Sequence, residues 1–98
     1  VRPTPDDVTA AFSDLLGEVV IVDTDEPVLY IGRLQEANPV LLTLADADVH
    51  ECDSTSSRTR EVYAMEAARN GVHPSRSRVR VLMSRVLSVS RLDEVILY

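Results

Sequence analysis

The apolar positions of this chain recur first with the period of a helix and then, for most of its length, with the period of strands. In "PTPDDVTAAFSDLLG", Val8, Ala11, Phe12 and Leu15 fall at i, i+3, i+4 and i+7 and form one apolar stripe. Thr4 suits the N-cap, Pro5 the first helical position, Asp6 and Asp7 the positive end of the helix dipole, and Gly17 the stop. This spacing predicts a short amphipathic helix that opens the domain.

Strand-like runs follow. "EVVIVDT" is β-branched and apolar enough to be buried on both faces, "DEP" turns the chain, and "VLYIGRLQEA" resumes with Gly32 inside it, where a bend or close backbone approach is expected. Asn38 and Pro39 turn the chain again, and "VLLTLADADVHE" leaves the core as it becomes acidic. Together these predict an antiparallel meander. A polar, Ser-rich approach then leads to a helical segment around Val62, Tyr63, Ala64, Met65, Ala67 and Ala68, with Gly71 as its end and Pro74 beyond. Its apolar stripe is weak. Residues 52–75 therefore read as an insertion laid loosely on the strands, or disordered in part from Asp53 to Ser57, and as dispensable for the barrel.

The run "RSRVRVLMSRVLSVSRL", Arg76 to Leu92, is about three times the usual strand length and holds neither Gly nor Pro. Strand alternation from Arg76 puts Val79, Val81 and Met83 on one face and Arg76, Arg78, Arg80 and Leu82 on the other. From Val86 the inward set is re-phased, so a sharp bend near Ser84 and Arg85 separates two strands. The pattern as a whole predicts a mainly β domain: one helix, five strongly bent strands, and a helical insertion between the third and fourth.

That order, with a glycine in the bent second strand and a corner between the last two, resembles the Sm and Sm-like family. "LLGEVVIVDTDEPVLYIGRLQEANPVLLTLADA" is similar to the first Sm motif and "VLMSRVLSVSRLDEV" to the second. Leu16 and Gly17 match the end of the family helix, Gly32 and Leu34 its G-x-L, and Leu42, Thr43 and Leu44 its L-x-L. The resemblance implies a small SH3-like barrel that joins its copies edge to edge, fourth strand to fifth, into a ring that binds single-stranded RNA. It also implies departures. Asn38 stands where the family has Asp, Val40 and Leu41 replace the family's base-reading Met-Asn, and Leu82 and Met83 stand at its Arg-Gly, with Arg85 nearby.

Composition refines this picture at three points. Ninety-eight residues suit a single domain, and with aromatic residues at only 4% the core falls to Val, Leu, Ile and Ala. The net charge of −6 conceals a division: up to Asp53 there are two Arg and twelve Asp or Glu, and from Ser54 onward eight Arg and four acids. Every Lys/Arg cation is Arg, a choice that suits planar, bidentate partners such as phosphate or carboxylate. The apolar runs fall short of a membrane span and the start lacks signal-peptide character, so the chain reads as cytosolic. The one cysteine, Cys52, has no partner for an internal disulfide.

Candidate chemistry is therefore a matter of binding. His50, Cys52 and His73 lack the paired spacings of a zinc site, and Asp46, Asp48, Asp23 and Asp25 sit at strand ends as solvated charge. The expectation is a protein without cofactor, metal or catalytic residues. Asn38, Arg76, Arg78, Arg80 and Arg85 are the candidate RNA-binding residues. Two functions stay open: a ring-forming Sm-like protein that binds single-stranded RNA, and a small-barrel assembly module whose arginines meet acidic neighbours.

Overall fold

The computed structural model describes residues 3–52 and 57–97, with the side chains of residues 57–59 left aside. The opening helix, α1, runs Pro5–Ala11, and Thr4 caps it as the sequence implied: the Asp7 N–H donates to Thr4 Oγ1 and the Thr4 N–H to Asp7 Oδ2, both at 3.1 Å. The bonds from Thr4 hold the Asp7 carboxyl below its usual range. The helix ends sooner than the stripe suggested. Ser13 turns its hydroxyl back to Ala10 O at 2.9 Å, and Ser and Asp at this point compete with the backbone ladder, so residues 12–17 form successive turns instead. Phe12 and Leu15 still reach the barrel core. Gly17, at φ +82°, delivers the chain to the sheet, where its N–H donates to Leu34 O at 2.8 Å.

Five strands follow: β1 (Val19–Thr24), β2 (Val28–Ala37), β3 (Leu41–Glu51), β4 (Arg76–Leu82) and β5 (Val86–Arg91). They make one antiparallel sheet in the order β4-β3-β2-β1-β5. The corner expected near Ser84 and Arg85 is a turn of 3-10 helix, Met83–Arg85, which carries the chain from beside β3 across to β1. At its two ends the Met83 N–H donates to Val40 O (2.8 Å) and the Asp25 N–H to Arg85 O (3.0 Å).

Strand alternation sorts the core. Val20, Val22, Leu34, Leu42, Leu44, Ala47 and Val81 fill the inside of the bent sheet, with Val79 and Val89 packed against them. The bend is made by irregular pairing. Between Ile31 and Arg33, β2 offers one residue, Gly32, where β3 offers two, and Asp46 takes φ +48° to absorb the extra one.

The opposite face of the sheet holds the main departure from the sequence reading. Ile21, Leu29 and Ile31 point away from the barrel interior, and a second helix, α2 (Ser57–Asn70), covers them through Ala67, Tyr63 and Ala64. Gly71 ends α2 as expected, at φ +87° with its N–H bonded to Ala67 O. The helix is not laid loosely: Ala67 and Cys52 are buried in this second core. Its apolar stripe is weak because Ala64, Ala67 and Tyr63, not large aliphatics, meet the sheet. Of the stretch from Asp53 to Ser57 expected to be disordered in part, Ser57 opens α2 and residues 53–56 lie outside the described residues.

Burial pushes the Cys52 thiol up from its ordinary pKa, an effect the nearby Arg60 charge offsets only in part. Cys52 is therefore expected to react with a maleimide at pH 7 at least about tenfold more slowly than free cysteine. Labelling at the rate of the free amino acid would contradict this packing of α2.

Candidate nucleic-acid interface and strand edges

The five candidate residues separate into three groups in space. Asn38 belongs to the β2–β3 turn and is committed to it. Its Oδ1 accepts the N–H groups of Val40 (2.9 Å) and Leu41 (2.8 Å), and its Nδ2 donates to Glu36 Oε1 at 3.2 Å. This is the arrangement by which Asx residues close turns, so Asn38 shapes the loop beside the 3-10 corner.

Arg80 and Arg85 come together. They face a shallow cleft of about 290 Å³ whose other walls include Tyr30, Val28 and Glu26. Arg85 is held toward the β1–β2 turn by Asp25 Oδ2 at 3.2 Å and Glu26 Oε1 at 3.6 Å. All three side chains are well exposed, so these ion pairs contribute on the order of 0–1 kcal/mol each and are open to exchange with another anion. Arg80 has no hydrogen-bond or ion-pair partner for its guanidinium among the described residues.

Arg76 and Arg78 lie farther along β4, opposite Ala47 and Ala45. Arg76 donates to Ser75 O at 3.1 Å, and Arg78 has no side-chain partner among the described residues. The alternation read from the sequence holds here, since Arg76, Arg78 and Arg80 are exposed while Val81 is buried and Val79 half-buried. β4 is also one edge of the sheet and β5 the other, each bonded along one side only. These edges carry exposed apolar side chains, Leu82 at 53% and Leu87 at 68%.

Other arginines are engaged structurally. Arg60 of α2 pairs with the Asp23 carboxylate and donates to Glu26 O at 2.9 Å. Arg91 meets Asp93 Oδ2 (2.9 Å), Glu18 Oε2 (3.4 Å) and Glu94 Oε1 (3.7 Å), and the bond to Asp93 above all holds its pKa above the ordinary value. Tyr63 donates to the Asp48 carboxylate, and its ring stacks on His50 with centroids 3.8 Å apart and planes 6° from parallel. Sequence reasoning missed these tethers, and those of Arg60 to Asp23, Arg91 to Glu18 and Tyr63 to Asp48 join residues far apart in the chain. His50, Cys52 and His73 do not converge: His50 stacks on Tyr63, Cys52 is buried in the second core, and His73 is exposed. Among the described residues no group of acidic, His or Cys side chains is arranged to hold a metal ion, and no described helix is long and apolar enough to cross a membrane.

No family model and no curated protein matches this sequence. Among solved structures, the chain is similar to the Sm protein of Pyrococcus abyssii in complex with a uridine heptamer, at a TM-score of 0.56 and 17% identity, over 84% of this chain and 93% of that one. The helix, the five bent strands, the sheet order and the corner between the last two strands agree with that likeness, and they identify the fold of this chain as the Sm fold.

Proposed function

We propose that this chain is a non-enzymatic Sm-like subunit that assembles edge to edge through β4 and β5 into a ring and binds single-stranded RNA by its phosphates. The observation that carries the assembly is the pair of open sheet edges flanked by exposed Leu82 and Leu87. An open edge presents unpaired N–H and C=O groups, and joining one edge to the other edge of the next copy satisfies both. Such head-to-tail contacts close into a ring when the rotation allows it.

The support for RNA is the fold shared with a protein solved with a uridine heptamer, together with the cleft between Arg80 and Arg85. Asn38 is occupied within its own turn, and Val40 and Leu41 offer no side-chain donor, so this interface suits phosphate contact more than base reading. Tyr30 is half-buried beside the cleft and adds one aromatic face at its wall.

The double variant R80Q/R85Q is expected to bind short single-stranded RNAs more weakly by a similar factor whatever their sequence. Its salt dependence should flatten by roughly 0.7 units of slope for each phosphate that is no longer neutralised. Light scattering on the same variant should report an unchanged assembly. RNA binding that is absent in the parent chain removes the RNA reading and leaves the assembly module, whereas binding that is unaltered in the variant removes the Arg80–Arg85 cleft as its site. A parent chain that is monomeric at micromolar concentration removes the assembly reading.

A further inference from the structure

A groove of about 470 Å³ runs between α2 and β5, and the barrel itself does not use it. Its floor is Ile21, Leu29, Ser88 and Ser90, and carboxylates from two other elements, Glu61 of α2 and Glu94 of the C-terminal 3-10 turn, stand at its walls. Asp23 also lines it but is already paired with Arg60. Among the described residues Glu61 has no side-chain partner, and Glu94 only shares Arg91, at 3.7 Å, with the nearer Asp93. Uncommitted negative charge thus borders one sheet edge, and uncommitted positive charge, Arg78 with the lightly held Arg76, lies on the other.

We infer that this groove receives Arg76 and Arg78 of a second copy of the chain, so that α2 helps to select the partner strand. The inference rests on the edge-to-edge assembly proposed above. The faces of the strands agree with it. On β5, Ser88 and Ser90 pair with Asp23 and Ile21 and so face α2, while Val89 pairs with Val22 of the barrel interior. On β4, Arg78 pairs with Ala45 and alternates with Val79 and Val81 of the barrel interior, and Arg76 lies beyond it at the exposed end of the strand. When β4 of one copy continues the sheet beyond β5 of the next, Arg78 lies on the groove side with Arg76 beside it.

The side chains fit this placement. Residues two apart in a strand are about 6.6 Å apart, the same for the two arginines as for the two serines. Serine is short enough to leave the groove open toward the edge, where Leu or Val would fill it. The apolar stem of each arginine can lie along Val95 and Ile96, which also line the groove, while its guanidinium reaches the carboxylates at the rim.

Charge exchange on the full-length chain tests this. R76E/R78E and E61R/E94R are each expected to raise the dissociation constant of the assembly at least about tenfold in sedimentation equilibrium. The variant carrying all four changes should recover most of that loss. Thermal unfolding followed by circular dichroism checks that each variant is folded, and R76Q/R78Q serves if a reversal is not. An assembly unaffected by either reversal, or unrepaired by the combination, overturns the groove contact while leaving edge pairing intact. A monomeric parent chain overturns both, and an RNA affinity that falls in R76E/R78E without any change in assembly assigns these arginines to RNA instead.

Discussion

A chain in which residues 53–75 are replaced by a short glycine-containing turn is expected to lose its cooperative thermal transition. The loop entropy of a shorter connection slightly favours the variant, by a few tenths of a kcal/mol to about 1 kcal/mol. Packing opposes it more strongly. Ile21, Leu29 and Ile31, respectively 8%, 2% and 0% exposed, lose the cover of α2. Returning each to water costs at most about 1.5–3 kcal/mol, so the three together approach the 5–15 kcal/mol that holds a typical domain folded. The point variant Ala67→Asp separates packing from chain length, because it puts a carboxylate into the same interface with α2 still present. It should lower the midpoint in the same direction. A shortened chain that melts cooperatively at the parent temperature would show that the barrel core alone suffices.

Gly32→Val is expected to destabilise the domain by more than about 3 kcal/mol, although valine is the better strand residue by up to about 1 kcal/mol. Sterics decide the sign. A Cβ at position 32 would lie 2.9 Å from Ala47 Cβ, 3.0 Å from Ala47 Cα and 3.1 Å from Ala45 O. Two of these are backbone atoms of a strand pinned on both sides, so neither can swing aside as a long side chain would. Gly32→Ala already meets this obstacle and should cost about 1–3 kcal/mol, and valine adds two methyl groups. In the Gly32→Ala background, Ala47→Gly removes the nearest atom and should return part of the loss in urea unfolding midpoints. A Gly32→Val protein as stable as the parent would mean that β2 and β3 do not cross this closely.

The elements that the sequence determined are those whose signals are local. The N-cap of α1, the alternation in β4, the corner at Met83–Arg85 and the stop at Gly71 each follow from steric or hydrogen-bonding preferences within a few residues, and each is present. The ordered set of these pieces was also enough to point to the Sm fold. The length of α1 was less legible, because Phe12 and Leu15 are needed by the core whether or not the backbone between them is helical.

Tertiary structure alone decided the rest. A weak stripe of alanines could not say that α2 closes a second core, because small residues matter through the surface they approach and that surface, Ile21, Leu29 and Ile31, lies on other strands. Of the five candidate residues, the sequence presented Asn38 and the four arginines as equals. Folding committed Asn38 to its own turn, gathered Arg80 and Arg85 at one cleft, and left Arg76 and Arg78 along an edge. A charge is visible in a sequence, but whether it is already neutralised depends on groups brought near it from elsewhere in the chain, as Asp23 was by Arg60 across thirty-seven residues.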